Sequence, residues 1–289
     1  MSGEITHERI ESGGIHLHVA RAGAGPPVIL LHGFPENWTS WRHQIRSLSA
    51  AGFEVWAPDL RGYNESDRPK TRQAYELSQL VEDVAALVKA TGRPKAHIVG
   101  HDWGGIVAWA FAGERPDLVD RLVILNAPHL QLYREKLWFR QMFRSWYVLF
   151  FQLPLLPEWL LQFRRAAMLR RLFRKHPARK GTFDDKVIDA YVGAFAAPGA
   201  MTAALNYYRQ NFRPRRQEPA RRARTDAPTL VIWGELDRAL GTELLEGLER
   251  VAPKVRIHRI ADAGHWVQNE ASDEVNRVLI SFLKEGGEG

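Results

Sequence analysis

None of the 289 residues is a cysteine, which excludes disulfides, thiolate metal sites and a cysteine nucleophile. The same absence suits a reducing cytosol, so a cytoplasmic location is expected. A targeting pattern is missing too. The start, Met1 to Arg9, has no basic segment followed by an apolar one, and no signal peptide is expected. There is no clean hydrophobic run long enough to span a membrane. The most apolar stretch, Trp146 to Phe163, is broken by Gln152, Pro154, Pro157 and Glu158. Internal repeats are absent, and the glycine-rich tail from Glu285 is expected to fray.

What is present is ordinary for a soluble globular chain. Hydrophobic residues make up 45% and charged residues 25%, enough apolar material for one large core carrying an inserted piece. The net charge of +7 is unevenly spread. From His129 to Thr225 there are 20 Lys/Arg against 6 Asp/Glu, or +14, which leaves −7 for the rest. A basic block invites a nucleic-acid or anionic-membrane reading. Its aromatics, however, sit among Leu, Val and Met rather than in a nucleic-acid motif, so a solvated face on an inserted helical domain is the plainer reading and no nucleic-acid partner is expected.

Short apolar runs alternate with helical patterns. Strands are expected at Ile15–Ala20, Pro27–Leu31, Glu54–Pro58, Ala96–Gly100, Leu122–Leu125, Thr229–Trp233 and Val255–Ile260. Several are almost wholly apolar, as parallel strands covered on both faces must be. Helical patterns such as Glu76–Ala90 and Gly105–Glu114 lie between them. This alternation predicts an α/β fold with a mostly parallel, doubly wound sheet. It stops after Asn126-Ala127-Pro128 and resumes at Ala227-Pro228-Thr229. The expected organisation is therefore a core of residues 1–128 and 226–289 with a helical cap over 129–225.

The chemistry centres on Gly100-His101-Asp102-Trp103-Gly104, placed between a strand and a helix. Such a glycine-flanked turn pushes its middle residue up at the mouth of the sheet, at a helix N-terminus. Peptide N–H groups there favour an anion, so Asp102 is expected as a carboxylate. The bland reading of this motif alone is a helix-initiating Asp on a Gly-rich turn. An Asp at this position restricts the reaction. Attack on an acyl carbon would give an anhydride, whereas attack on an sp³ carbon bearing a leaving group gives an alkyl ester that water can cleave. The electrophile should be an epoxide or an alkyl halide.

Other segments complete the set. In Leu31-His32-Gly33-Phe34-Pro35 a turn can aim the Phe34 N–H at the same point as the Trp103 N–H, forming an oxyanion hole. His32 reads as a brace for this loop, with a metal ligand or base as the alternative. Ala263-Gly264-His265-Trp266 follows the last strand, where a general base belongs. Its orienting acid is sought in Trp233-Gly234-Glu235-Leu236-Asp237, with Asp237 the choice and Glu235 the substitute. The chain order Asp102, Asp237, His265 fits nucleophile, acid and base.

Together these segments resemble the α/β-hydrolase-fold epoxide hydrolases of the soluble type, from about Ile15 to Leu283. The segments from Pro58 to Asp67 and from Trp41 to Gln44 are similar as well. The resemblance implies a helical cap carrying two tyrosines that donate to the epoxide oxygen. Asn206-Tyr207-Tyr208-Arg209 points to Tyr208, and Tyr147-Val148-Leu149-Phe150-Phe151-Gln152 points, more loosely, to Tyr147. Packing inside the cap is the plain alternative for each. A phenol can share or donate its proton as the alkoxide develops, and two donors fix the oxygen for in-line attack. Phe34, Trp103 and Trp266 are expected to line the substrate site.

The expected reaction turns an epoxide and water into a vicinal diol through an ester on Asp102, with no metal and no cofactor. Haloalkane dehalogenases share the Asp-Trp pair, but many place Asn where this chain has Phe34. Fluoroacetate dehalogenases resemble Asp-Arg at the turn, and Trp103 departs from that. Asn126 cannot act as the charged acid. Two further readings stand beside this one. The first is a non-catalytic binding relative. The second is a membrane-surface hydrolase of lipophilic epoxides, in which the basic segment Arg164–Lys180 and the apolar segment Trp146–Phe163 rest on anionic lipid. The expected partner is a small-molecule epoxide, without a stable membrane span, and the chain is expected as a monomer or homodimer.

Overall fold

A computed structural model describes residues 4–136, 140–212 and 224–285. Among them, eight strands form one sheet in the order β1-β2-β4-β3-β5-β6-β7-β8. The strands are β1 (Thr6–Ser12), β2 (Ile15–Gly23), β3 (Pro27–Leu31), β4 (Glu54–Pro58), β5 (Ala96–His101), β6 (Val119–Leu125), β7 (Thr229–Gly234) and β8 (Val255–Ile260). β2 runs antiparallel to β1 and β4, and the remaining pairings are parallel. The seven expected strands each fall on one of these. β1 had no apolar signature, since Thr-His-Glu-Arg-Ile-Glu-Ser holds one large apolar residue, Ile10. As a largely solvated edge strand it needs only one neighbour, β2, and little burial.

The almost wholly apolar strands are explained by layers on both faces. In β3, Val28 and Leu30 enter one layer with Ile45 and Leu48 of α1 (Arg42–Ala50). Ile29 and Leu31 enter the other, with Val84 of α2 (Leu77–Ala90) and Val107 and Phe111 of α3 (Trp103–Glu114). Alternate side chains of a strand point to opposite faces, so a strand covered twice needs apolar residues at every position. After β3 the chain crosses to β4 on one side, whereas after β5 it crosses to β6 on the other. The ends of neighbouring β3 and β5 therefore diverge into a crevice, the usual place for a site in a doubly wound sheet.

Between the adjacent strands β6 and β7 the described chain forms helices α4 (Leu130–Glu135), α5 (Arg140–Arg144), α6 (Trp146–Phe150), α7 (Leu156–Lys175), α8 (Asp185–Gly193) and α9 (Ala200–Asn211). These helices lie where the cap is expected; residues 137–139 and 213–223 of the expected 129–225 span lie outside the described residues. Helix α7 is interrupted at Phe163–Ala166, where Arg164, Arg165 and Ala166 take φ of 50°, 55° and 56°. The cap is seated on the core by α9. The Tyr207 hydroxyl donates to Arg61 O at 2.8 Å, and Leu77 N donates to Asn211 Oδ1 at 2.9 Å. After the sheet resumes come α10 (Leu248–Val251), α11 (Val267–Glu270) and α12 (Ser272–Lys284). No helix among the described residues is long and apolar enough to cross a membrane.

Helix α3 touches the sheet so closely that glycine is required at its start. A Cβ on Gly104 would lie 2.1 Å from Leu31 O, and one on Gly100 would lie 2.3 Å from Gly104 O. Both obstacles are backbone and cannot rotate away. Gly104→Ala is therefore expected to destabilise the fold by about 1–3 kcal/mol or more, the scale of overpacking. Urea denaturation measures this, and an unchanged midpoint would mean that the turn opens without cost.

Candidate active site

Asp102 occupies the turn between β5 and α3 with φ 49° and ψ −119°. An L-residue rarely adopts this conformation, and the packed glycines around it hold it there. The Phe34 N–H donates to Asp102 Oδ1 at 2.9 Å. That approach needs Gly33, where a Cβ would sit 2.4 Å from Asp102 Cβ. Trp103 is the first residue of α3, and the opening N–H groups of a helix have no partner within it. The two expected oxyanion-hole residues thus flank the carboxylate. His32 holds the loop from below. Its Nδ1 lies 2.9 Å from Gly33 O, and its Nε2 accepts from Leu60 N at 3.0 Å. Burial lowers its pKa, which suits a neutral ring with one donor and one acceptor.

His265 stands on the loop after β8. Its Nδ1 is 2.7 Å from Asp237 Oδ2, and its Nε2 is 3.7 Å from Asp102 Oδ2. The second distance is too long for a direct hydrogen bond. Asp237 is buried, and its other contacts are all donors: Asn126 Nδ2 at 2.8 Å, Ala239 N at 2.7 Å and Leu240 N at 3.0 Å. Burial raises the Asp237 pKa, but His265 and these donors more than offset it, and the carboxyl is held below its ordinary value. For His265 burial acts downward. The Asp237 charge and hydrogen bond, aided by Asp102 and Glu36, overcome it and lift the pKa to about 9. Asn126, excluded as the acid, braces Asp237 instead. Its amide bonds Asp237 and also accepts from Gly234 N at 2.8 Å. Glu235 is paired with Arg259 at 2.6 Å rather than with His265.

A second buried pair lies beneath the first and was not singled out in the sequence. His101 Nδ1 is 3.0 Å from Glu36 Oε2, and its Nε2 is 2.9 Å from the backbone oxygen of His265. Ser40 Oγ donates to Glu36 Oε1 at 2.6 Å. Burial pushes the Glu36 carboxyl up, yet His101 and Ser40 draw it below its usual value. His101 thus fixes the backbone of the loop that carries His265. The signal was in the sequence only as the residue between Gly100 and Asp102. Nothing local ties Glu36 to it.

The cap supplies the opposite wall. Tyr147 of α6 and Tyr208 of α9 have ring centres 6.1 Å apart. The Tyr208 ring also meets Trp103 at 5.0 Å, Phe151 at 5.0 Å and Phe34 at 5.6 Å. Burial first, and then the Asp102 charge, push both phenols well above their ordinary pKa. Arg209 locks the two helices together. It donates to Glu158 at 2.6 and 2.9 Å and to Phe151 O at 2.8 Å. Trp266 does not join this wall. Its ring is buried against Phe173 and Phe183 at 5.3 and 5.7 Å, in a small cluster that docks the cap onto the His265 loop. Phe151, Phe195 and Phe212 instead touch Phe34, Tyr208 or Trp103. Phe151 and Phe212 lie four residues after Tyr147 and Tyr208, a helical spacing that could have revealed them. Among the described residues no cluster of His, Asp and Glu could hold a metal ion.

This architecture matches known proteins along nearly its whole length. The alpha/beta hydrolase fold family matches residues 26–272. The chain is 36% identical to epoxide hydrolase 4 of Homo sapiens, over 98% of this chain and 80% of that protein. It is 37% identical to the AB hydrolase superfamily protein YfhM of Bacillus subtilis, over 95% and 96% of the two chains. A crystal structure of a Bacillus megaterium epoxide hydrolase with an inhibitor superposes with a TM-score of 0.87 at 31% identity, covering 96% of this chain and all of that one. The chain belongs to the α/β-hydrolase fold family and, within it, to the epoxide hydrolases. It is a hydrolase acting on ether bonds.

Because the folded-state pKa of His265 is raised, its pairing contributes fully to stability below pH 6.5, and that contribution is lost as pH rises through about 9. The difference in thermal midpoint between the wild type and His265→Gln should shrink across that window. A difference that grows with pH would overturn the assignment.

Proposed function

We propose that Asp102 is the nucleophile and that hydrolysis proceeds through an alkyl ester on its carboxylate. The observation that carries this reading is the pair of contacts on the two carboxylate oxygens. Oδ1 is held by the Phe34 N–H at 2.9 Å, and Oδ2 faces His265 Nε2 at 3.7 Å. The held oxygen is placed to become the ester carbonyl, leaving Oδ2 to attack. In the first half-reaction Oδ2 bonds to an epoxide carbon, the carbon–oxygen bond of the ring breaks, and Tyr147 or Tyr208 gives its proton to the departing oxygen. The phenolate regains its proton, through water, when the carboxylic acid left on Asp102 by ester hydrolysis ionises again. In the second, His265 takes a proton from a water that attacks the ester carbonyl. The Phe34 and Trp103 N–H groups hold the oxyanion, and the diol oxygen leaves with the proton returned by His265.

The Asp102 charge times these steps. In the free enzyme it adds to burial in raising the pKa of both tyrosines, and to the stronger pull of Asp237 in raising that of His265. Esterification removes that charge. The phenols then become better acids as the alkoxide forms, and the imidazole more readily loses its proton before water must be activated. Substrate is gripped between Asp102 and the tyrosines by an aromatic wall, which favours an apolar substituent on the epoxide. Phe34 offers no side-chain donor for a halide, so the epoxide is favoured over an alkyl halide as the electrophile.

His265→Gln should open epoxide but fail to release diol. Intact-peptide mass spectrometry should then find a substrate-sized increase on the peptide containing Asp102, and a folded variant with no adduct would sink the nucleophile assignment. Tyr147→Phe with Tyr208→Phe should lower ring opening by at least the ~10²-fold typical of lost general-acid catalysis, with the fold intact by circular dichroism. Full retained turnover of styrene oxide would show that the proton comes from elsewhere. Run in parallel with a chloroalkane, the same assay scores diol against free chloride, and chloride release as the main activity would favour the dehalogenase reading.

A further inference from the structure

Thirteen large hydrophobic side chains lie exposed among the described residues, and ten of them fall within 142–168 of the cap. Leu149 and Phe143 are each 72% exposed, Leu155 77%, and Trp146 and Trp159 57% each. Such clustering on a soluble surface marks an interaction site. The residues are held together by the fold. Helix α6 ends only six residues before α7 begins, and the Trp159 and Phe163 rings meet at 5.0 Å on one face of α7. Helix α6 is two-sided. Tyr147 turns toward Tyr208, and Trp146 and Leu149 turn to solvent. The apolar face therefore backs directly onto the wall of the active site.

Charge identifies what covers it. Residues 142–176 hold seven Lys/Arg and a single acid, Glu158, which is already bound by Arg209. Arg170 and Arg174 pair with Asp189 and Asp185 of α8. Arg164, Arg165, Arg171 and Lys175 are exposed and make no ion pair among the described residues. A second copy of this face would bring two cationic segments together. A bilayer with anionic headgroups meets every feature at once: leucines reach the acyl boundary, tryptophans sit at headgroup level, and arginines face phosphates.

We propose that this face of the cap, from α5 to the middle of α7, docks on an anionic lipid bilayer. Docking turns the outer side of α6 into the lipid while Tyr147 on its inner side faces Asp102. Delivery of lipophilic epoxide from the bilayer rests on the reaction proposed above; docking itself does not.

The test is co-sedimentation of the whole protein with sucrose-loaded vesicles of phosphatidylglycerol and phosphatidylcholine, beside vesicles of phosphatidylcholine alone. At low ionic strength the protein should sediment with the anionic vesicles, with a blue shift of tryptophan emission, and should be released by high salt. Leu149→Asp with Leu155→Asp, and separately Arg164→Glu with Arg165→Glu, should each lower the partition by ~10-fold or more while hydrolysis of a water-soluble epoxide stays at the wild-type rate. Failure to sediment at low salt, equal binding to neutral lipid, or binding that neither variant changes would overturn the proposal. So would a dimer in light scattering that the leucine variants dissociate, since a second copy would then own the face. A wild type that binds vesicles but opens no epoxide would reject the reaction and leave the docking standing.

Discussion

One buried-edge carboxylate sets the terms for everything around it. Asp102 is held in a backbone conformation that L-residues avoid, with one oxygen on a peptide N–H and the other facing a histidine. Its negative charge adds to burial in raising the pKa of Tyr147 and Tyr208 on the cap, and to Asp237 in raising that of His265 on the core. On the proposed mechanism the reaction consumes that charge and then restores it. On that mechanism the acid and base functions respond to the progress of the chemistry itself.

The rest of the fold keeps that carboxylate in place. The divergence of β3 and β5 opens the crevice, and Gly33, Gly100 and Gly104 let the loop, the turn and the helix approach one another. Beneath them, two polar pairs carry the histidine loop from both sides: Asp237 grips the ring, and His101, backed by Glu36, grips the backbone. Arg209 does the corresponding work in the cap, where one guanidinium ties α9 to α7 and to the turn after α6. The helices that carry the two tyrosines are thus tied together, even though they come from distant parts of the chain.

The same cap faces two environments. Helix α6 presents Tyr147 to the site and exposed hydrophobic residues to the outside, and α7 carries both exposed apolar residues and arginines. The uneven charge seen along the chain acquires a location in this way. Part of it is neutralised against α8, and part is left available at the edge of the apolar surface. A reading of the block as a merely solvated face accounts for the arginines but leaves the exposed tryptophans and leucines without a role.

The sequence by itself determined the doubly wound sheet, and it predicted the cap span and the chain order of Asp102, Asp237 and His265. Those features leave local traces: apolar runs for strands covered on both faces, glycines where backbones touch, and an acid where a helix begins. It missed β1, whose edge position needs hardly any apolar residues, and it carried no trace of the cap residues that Trp266 packs against. Only the tertiary structure decided that Trp266 packs against the cap, that Asn126 braces Asp237, and that Glu36 reaches His101 across 65 positions. The physical reason is the same each time. Burial and long-range hydrogen bonding depend on which elements pack together, and a single residue carries no local mark of the partner it will meet.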